Sequence, residues 1–444
     1  MSNQLALSVV FCLLSGCASL REAPLAAPEQ LLPTASDALV ETPSHPRLPA
    51  SSAEPTAVLT ELDIARLTLA LNPDLQAQRA RLGVARAQLT ALGIVPDPQI
   101  SVSRDRPSGP GLVDALGAGL NLDIASLLTL GPRRRGASSA AEQVRFDVAW
   151  AEWLTVNQAR TLARRQAALG QQVSLATEAA SAAREVLQRA EASLLQGDFR
   201  VDEVSLYRVG FLDAKDRAMG LERALVASRI ELLTLLGMAP DGELRIAQLP
   251  REPLDAADLR PEDLVTAAFT SRLDLDALRE GYAAQEATVK VARLSALPLP
   301  QLALNRARDT GGIWSHGVGL GFALPMWNRN RGEIDVSVAG RTQLAAEYRA
   351  RLHQMRADIT ALCAELQGLE AARLELQAQL PSLEQASAAL AKASRDGSVP
   401  LVTYEAIRAA LLDKQLALLG IEQAIAEGQV ALEAATGDFI WENP

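Results

Sequence analysis

Residues 317–334, GVGLGFALPMWNRNRGEI, decide how this chain folds. The first half of the stretch alternates between small and apolar residues, the apolar ones being Val318, Leu320, Phe322 and Leu324. A period of two predicts a strand with one apolar face. A basic, polar turn follows, and after it a helix-like pattern runs for about sixty residues. A strand that feeds directly into a very long helix suits the point where a membrane barrel meets a helix outside the membrane.

The composition favours long packed helices. Of the 444 residues 48% are hydrophobic but only 4% are aromatic, so the apolar content is mostly Ala, Leu and Val. The formal net charge of −10 gives no basic surface for nucleic acid, which excludes that class of partner. The body of the chain has no apolar run of about eighteen residues, so no transmembrane helix is expected there.

The first residues predict a lipoprotein leader. An apolar segment precedes Leu14-Ser15-Gly16-Cys17, which resembles a bacterial lipobox. We expect residues 1–16 to be a signal peptide and Cys17 to carry the acyl anchor, a palmitate-type modification. Residues 1–4 contain no Lys or Arg, which departs from the usual start of such a leader.

An anchored arm is expected to follow the leader. Residues 17–58 are rich in Pro, Ala and Ser and lack periodicity, so they predict a lipid-anchored extended arm. By resemblance to lipoprotein sorting, Ala18 after the cysteine implies delivery to the outer membrane.

The rest of the chain is one unit written twice. A shift of 200 positions superposes Leu59 on Leu259, Asp74 on Asp274, Gly117 on Gly317, and Gly237 on Gly437. We therefore predict two repeats, residues 59–258 and residues 259–444.

Each repeat is predicted to contain a short helix, two strands, a long helix and a returning helix. The predicted ranges in the first repeat are 74–95 for the short helix, 137–195 for the long helix and 201–237 for the returning helix. The long helix carries a heptad seam, which is typical of a coiled coil. Pro381 is expected to kink or break its counterpart in the second repeat. The short and returning helices, stacked end to end, match the predicted long helix in length.

Two hairpins give four strands, and four strands cannot close a barrel. An open strand edge in lipid leaves backbone groups unpaired, at a cost of several kcal/mol each. Other chains must therefore complete the sheet. Two copies would supply eight strands and three copies twelve, and the repeat alone does not choose between them.

Three motifs resemble those of the TolC family of outer-membrane efflux channels, over about residues 59–440. They are ALNPDL at 70–75, LPMWNRNRGEI at 324–334, and the doubled glycine turn with its returning helix ending near Gly237 and Gly437. The junction at 324–334 is similar to that of the metal-efflux branch. The lipid anchor on a cysteine also occurs in this family.

The resemblance implies a mixed α and β membrane protein. The expected assembly is a homotrimer with a twelve-stranded outer-membrane barrel that continues as an α-helical coiled-coil tube in the periplasm of a Gram-negative bacterium. The expected function is the exit duct of a tripartite efflux pump. The implied partners are a periplasmic adaptor, an inner-membrane transporter and outer-membrane lipid. The alternative is a lipid-anchored periplasmic coiled-coil scaffold without a pore.

The glycine turns between the long and returning helices are the candidate periplasmic tip. By the resemblance, the tip docks the adaptor through Gly197, Asp198, Phe199, Gly397, Ser398, Val399 and Pro400. Its neighbours are candidates for the pore constriction, namely Asp202, Glu203, Tyr404 and Glu405. For any single acidic residue, the alternative is a solvated helix cap, favoured near a helix N-terminus by about 0.3 to 1 kcal/mol.

A basic rim is predicted where the strands end. Its candidate members are Arg133, Arg134, Arg135, Trp327, Arg329 and Arg331. Arginines there would contact lipid phosphates and the tryptophan would act as an interfacial anchor. The alternative is a solvated turn.

No motif of catalysis occurs in the sequence. There is no phosphate-binding loop, no zinc-protease motif and no nucleophile elbow, and the three histidines are scattered. We therefore expect no enzyme activity, no cofactor and no metal site. Cys363 is expected to be a buried apolar residue.

Overall fold

The computed structural model describes residues 58–241, 244–247, 259–322 and 326–440. The predicted signal peptide, the acylated Cys17 and the arm before residue 58 lie outside the described residues. So do residues 323–325 of the stretch quoted first.

Both halves of the described chain have the same order of elements. The first half has α1 (Glu61–Leu71), α2 (Pro73–Leu92), β1 (Gln99–Asp105), β2 (Ala115–Asp123), α3 (Ile124–Gln196) and α4 (Val201–Leu235). The second half has α5 (Pro261–Ser271), α6 (Leu273–Leu294), β3 (Pro300–Arg308), β4 (Trp314–Phe322), α7 (Arg331–Arg395) and α8 (Leu401–Thr436). The order predicted for the two repeats is therefore present, with a further short helix before each α2-type helix.

The strands form one antiparallel sheet in the order β1-β2-β3-β4. The central pairing joins the halves, with Leu120 opposite Leu304 and Leu122 opposite Leu302. The predicted four-stranded sheet is confirmed. Within the described chain β1 and β4 each pair on one side only, so both carry an open edge.

The first long helix begins earlier than the sequence predicted. α3 has 73 residues and starts at Ile124, where the Asp123 carboxylate accepts the Ser126 backbone N–H at 3.1 Å. Gly131 and Pro132, which precede the predicted start at residue 137, both lie inside the helix. Packing outweighs the cost of the proline here. A side chain on Gly136 would lie 3.0 Å from the Ala287 Cβ, so the missing side chain allows α6 to pack closely.

Pro381 was predicted to kink or break its helix, and the predicted break does not occur. α7 is continuous for 65 residues and includes Pro381. Leu376 and Leu380 are buried on the same helix beside the proline. Burial of such side chains opposes the roughly 3 kcal/mol cost of a proline inside a helix.

In each half, the returning helix meets the α2-type helix end to end. The Asn72 side-chain amide donates to the Leu235 carbonyl at 2.7 Å, which joins the end of α4 to the start of α2. In the second half Ser271 Oγ donates to the Thr436 carbonyl at 2.7 Å, and Arg272 Nη1 donates to the Ala435 carbonyl at 2.9 Å. These bonds satisfy carbonyl groups that a helix end would otherwise leave unpaired. The predicted stacking is confirmed.

The long helix is longer than its stacked neighbours. With 73 residues α3 extends about 110 Å, whereas α4 and α2, with 35 and 20 residues, together extend about 80 Å. The predicted match in length is wrong because α3 begins thirteen residues before residue 137, at Ile124.

Two cores lie where the short helices α1 and α5 cover the end-to-end joints. In the first, Ile64 and Leu67 of α1 pack with Leu162 of α3 and Leu232 of α4. In the second, Leu275 packs with Met355, Ile359, Leu366 and Leu432. Cys363 belongs to this second core and is fully buried, as predicted, and burial raises the pKa of its thiol.

Candidate functional site

The sheet has one apolar face and one face of small and polar residues. Directly opposed residues of antiparallel strands lie on the same face. The apolar face therefore gathers Ile100, Val102, Leu120, Leu122, Leu302, Leu304, Val318, Leu320 and Phe322. The other face gathers Ser101, Ser103, Gly117, Gly119, Asn121, Ala303, Asn305, Gly317, Gly319 and Gly321.

The apolar face is not covered by any helix of the described chain. Val102 is 82% exposed, Val318 is 73% exposed and Leu320 is 62% exposed. A sheet of a soluble domain buries its apolar face, whereas a membrane sheet presents that face to lipid. The face therefore needs an apolar environment from outside this chain.

The open edges of the sheet and of the helical layer coincide. α3 packs against both stacked columns, α2 with α4 and α6 with α8, while α7 packs against the second column. The described helices thus run in the order α2/α4, α3, α6/α8, α7. The first column leads into edge strand β1, and edge strand β4 leads into α7. Both layers are therefore open on the same two sides, as in one segment of a ring.

The two hairpin tips share one backbone motif. Gly197 has φ 84° and Gly397 has φ 73°, in the left-handed region that favours glycine. The Asp198 N–H donates to the Ser193 carbonyl and the Ser398 N–H donates to the Ala393 carbonyl, both at 2.9 Å. This is the usual glycine-terminated end of a helix. A Cβ on either glycine would meet nothing within 4 Å, so both tips are open on the outside.

The residues of the first tip divide into exposed and packed groups. Asp198 is exposed, whereas Phe199 is half-buried and stacks on Tyr207 with ring centroids 6.1 Å apart. Phe199 and Tyr207 both pack against a small core formed by Leu187, Ala190 and Val204. Phe199 therefore stabilises the hairpin by packing against this core. Its predicted role was at the surface of the tip.

The candidate constriction residues also divide. Asp202 and Glu203 are exposed in the first turn of α4, where the Glu203 carboxylate accepts the Arg200 backbone N–H at 2.9 Å. That contact is a helix cap. Tyr404 and Glu405 are half-buried in α8 and line a cavity between the two hairpins.

Sequence reasoning missed two residues at this cavity, Tyr207 and Arg408. Tyr207 of α4 and Val402 of α8 line the cavity from opposite hairpins, so Tyr207 lies at the contact between them. Arg408 Nη1 lies 3.6 Å from the Glu405 carboxylate. Burial raises the pKa of Glu405, and the charges of Arg408 and Arg189 oppose that shift. The signal available in the sequence was limited, because the contact between Tyr207 and Val402 crosses from one repeat to the other.

A polar contact joins the hairpins farther from the tip. Arg217 of α4 forms an ion pair with Asp413 of α8, and both side chains are about half exposed. Exposed pairs of this kind contribute at most about 1 kcal/mol. This ion pair between the hairpins is therefore a weak one.

The residues of the predicted basic rim lie in a helix in the first half of the chain and mainly in a turn in the second half. Arg133, Arg134 and Arg135 are exposed but lie inside α3, several residues beyond the end of β2. This corrects their predicted place directly after the strands, since the helix begins at Ile124. Trp327 is 96% exposed, in the turn before α7. Arg329 lies in the same turn with φ 48°, and Arg331 begins α7.

Two searches of the described residues bear on other kinds of site. None of the described helices is both long and apolar enough to cross a membrane. Among the residues that the structure places, no three His, Cys, Asp or Glu side chains gather as a metal-binding group.

The fold, a sheet segment continued by long paired helices, is similar to that of solved outer-membrane channels. CusC has a TM-score of 0.71 and 18% identity, over 90% of this chain and 99% of that one. VceC from Vibrio cholerae has a TM-score of 0.72 and 17% identity, over 85% and 96%. CmeC from Campylobacter jejuni has a TM-score of 0.70 and 16% identity, over 96% and 94%.

These similarities confirm the fold that the resemblance to the TolC family predicts. No protein-family model matches the chain, and no curated protein matches it either. None of these similarities identifies a branch of the family, so the metal-efflux branch stays a prediction.

Proposed function

We propose that this protein is an outer-membrane exit duct of a tripartite efflux pump, which conducts solutes passively and catalyses no reaction. The observation that carries the proposal is the coincidence of an uncovered apolar sheet face with open edges in both layers. Copies placed edge to edge would close the sheet and the helical layer together. The closed ring would turn its apolar face to lipid and its small, polar face to water.

A comparison of the barrels that two and three copies would form favours three copies. Two copies would give an eight-stranded barrel, whose interior is just wide enough for side chains to fill. Three copies would give twelve strands and leave a water-filled lumen. The glycines on the polar face, at Gly117, Gly119, Gly317, Gly319 and Gly321, suit a wide passage because they leave it free of side chains.

The hairpin tips are proposed as the periplasmic mouth and as the docking site of an adaptor protein, which links the duct to an inner-membrane transporter. The open glycine turns Gly197 and Gly397, with Asp198, Phe199, Ser398, Val399 and Pro400, form the outer surface of the tip. Asp202, Glu203, Tyr404 and Glu405 are proposed to narrow the mouth. The weak ion pair between the hairpins supports this, since a mouth that opens needs hairpins that separate at low cost.

The anchored form of the protein is also a proposal. Acylation of Cys17 would fix the chain at the outer membrane, with the helices extending into the periplasm. Arg329, Arg331 and Trp327 are proposed as the rim on the helix side of the membrane, with Arg133, Arg134 and Arg135 beyond it along α3.

The purified protein in detergent tests the function. We expect an oligomer by light scattering and stepwise ion conductance when it is added to a planar bilayer. A scaffold without a pore would give neither the bilayer steps nor a ring in micrographs. Truncation of the hairpins would open both tips. A truncated protein that still forms an oligomer but never conducts would contradict the proposed duct.

A further inference from the structure

The apolar face of the sheet becomes basic at its loop end. In the last row of paired residues, Leu116 is opposite both Arg104 and Arg308, and Arg308 is opposite Trp314. In the next row, Arg306 is opposite His316. Since opposed residues share a face, all of them lie on the apolar side. We call Arg104, Arg306, Arg308 and His316 the loop-end cluster.

Most of the charge in this cluster is not neutralised within the chain. Arg104 is paired with Asp114. Among the described ion pairs there is none to Arg306 or Arg308, and Arg308 Nε is buried without a hydrogen-bond partner. The Arg306 guanidinium lies over the Trp314 ring, 4.9 Å from its centroid, which orients the group without neutralising it.

The acidic residues described at this level form no ion pair with Arg306 or Arg308, and Asp114 is paired with Arg104 and Arg106. By strand alternation Asp105 lies on the small, polar side, and the Asp309 carboxylate in the loop accepts the Ile313 backbone N–H, whereas the arginines lie on the apolar side. Arginines that border an apolar band at the edge of a bilayer require anions supplied from the membrane surface.

We propose that the loop-end cluster binds the phosphate groups of lipid in the outer leaflet, which in a Gram-negative outer membrane is lipopolysaccharide. A guanidinium binds phosphate through two parallel N–H bonds, and Trp314 provides an aromatic anchor at the same level. The proposal rests on the proposed function, because the apolar face must face lipid. It concerns the opposite membrane edge from Arg329 and Arg331.

The test uses the purified, delipidated oligomer and fluorescent lipopolysaccharide in detergent, with binding followed by anisotropy. Each basic residue near an anionic lipid surface contributes about fivefold in affinity. We therefore expect Arg306→Gln/Arg308→Gln to bind about thirtyfold more weakly. The control Arg184→Gln/Arg189→Gln, with the same charge change on exposed positions of α3, should bind as the unaltered protein does.

Two further ligands identify the group that is bound. Dephosphorylated lipopolysaccharide should bind the unaltered protein as weakly as the glutamine variant binds the intact lipid. Millimolar inorganic phosphate should fail to displace the lipid. Equal binding of the dephosphorylated lipid would overturn the proposal, and displacement by inorganic phosphate would assign the cluster to the free ion instead.

A conservative variant keeps the test possible if the glutamine variant does not assemble. Arg306→Lys/Arg308→Lys keeps the charge and removes the two-bond geometry, so we expect weaker, salt-sensitive binding. Unchanged affinity in this variant, or in the glutamine variant, would overturn the proposal. Conductance measured on the same preparations distinguishes failure of this proposal from failure of the proposed duct. If the variants conduct and bind the lipid with unchanged affinity, lipid binding by the cluster is contradicted but the duct is not.

Discussion

Arg160 and Glu433 form a buried ion pair, with 2.6 Å between Arg160 Nη1 and the Glu433 carboxylate, and their side chains are 3% and 2% exposed. Arg160 lies on α3 and Glu433 near the end of α8, so the pair joins the two halves of the chain. Arg160 Nε also lies 2.7 Å from the carboxylate of Glu61 in α1. One arginine therefore fixes three helices at the level where the columns are joined.

Arg160→Met should destabilise the protein strongly. It leaves the buried Glu433 carboxylate without its arginine, whereas Glu61 keeps its ion pair with Arg164, and breaking a buried pair costs about 3 to 5 kcal/mol. Thermal unfolding in detergent measures the change. Arg189→Met is the control, because its pair with Glu185 is 74% and 67% exposed and contributes at most about 1 kcal/mol. Equal shifts in the two variants would contradict the role of Arg160.

The assignment of the sheet faces can be tested with one bulky side chain at two adjacent positions. Gly317→Trp places an indole on the polar face, where a Cβ meets nothing within 4 Å, so the single-channel conductance should fall. Val318→Trp places the same group on the apolar face, where lipid accommodates it, and the conductance should stay unchanged. If Val318→Trp lowered the conductance and Gly317→Trp did not, the two faces of the sheet would have to be assigned the other way round.

Glu405 should make the tip sensitive to pH. Burial raises its pKa above the ordinary value of 4.5, so the folded tip holds the proton more tightly than the unfolded chain does. The tip therefore gains stability as the pH falls through the raised value and loses it as the pH rises. Hydrogen exchange of residues 401–411, corrected for intrinsic rates, should slow on mild acidification.

Glu405→Gln removes the ionisable group, so exchange at the tip should become slower at neutral pH and independent of pH just above 4.5. Asp216→Asn, an exposed carboxylate on α4, is the control and should keep the pH dependence. Persistence of the full pH dependence in Glu405→Gln would assign it to another group.

The proposed docking role of the tips predicts that bulk at both glycine turns abolishes efflux and leaves the oligomer intact. Each change from glycine costs about 1 kcal/mol because of the left-handed backbone, which is too little to unfold a helix pair of this length. Gly197→Trp/Gly397→Trp is compared with Gly368→Trp, where a Cβ also meets nothing within 4 Å. Growth of a complemented deletion strain on a panel of metals and drugs, with native gels, measures both properties. Full efflux in the double variant would count against docking.

Patterns of alternation predicted the sheet well, because side-chain direction in a strand follows directly from position. Gly317 and Val318 fall on the faces that the sequence indicated. Helix boundaries were predicted less well. The start of α3 was expected at residue 137 and a kink or break at Pro381, but both helices are continuous through a proline, and whether a helix tolerates a proline depends on tertiary contacts.

The contacts around the tip could not be predicted for a related reason. Tyr207 and Val402 line one cavity across the boundary between the repeats, and a comparison of the repeats places Tyr207 opposite Ile407, which has no hydroxyl group. Duplication shows what the halves have in common. Asymmetric contacts such as this one arise where the two halves differ.

The open edges β1 and β4 have a genetic consequence. Every copy in a closed ring uses both of its edges, so one copy with a damaged edge leaves the whole ring open. Intact chains that assemble with a damaged chain therefore cannot form a closed ring. An allele that disrupts either edge strand would therefore act dominantly over an intact allele in the same cell, whereas an allele that prevents synthesis of the chain would be recessive.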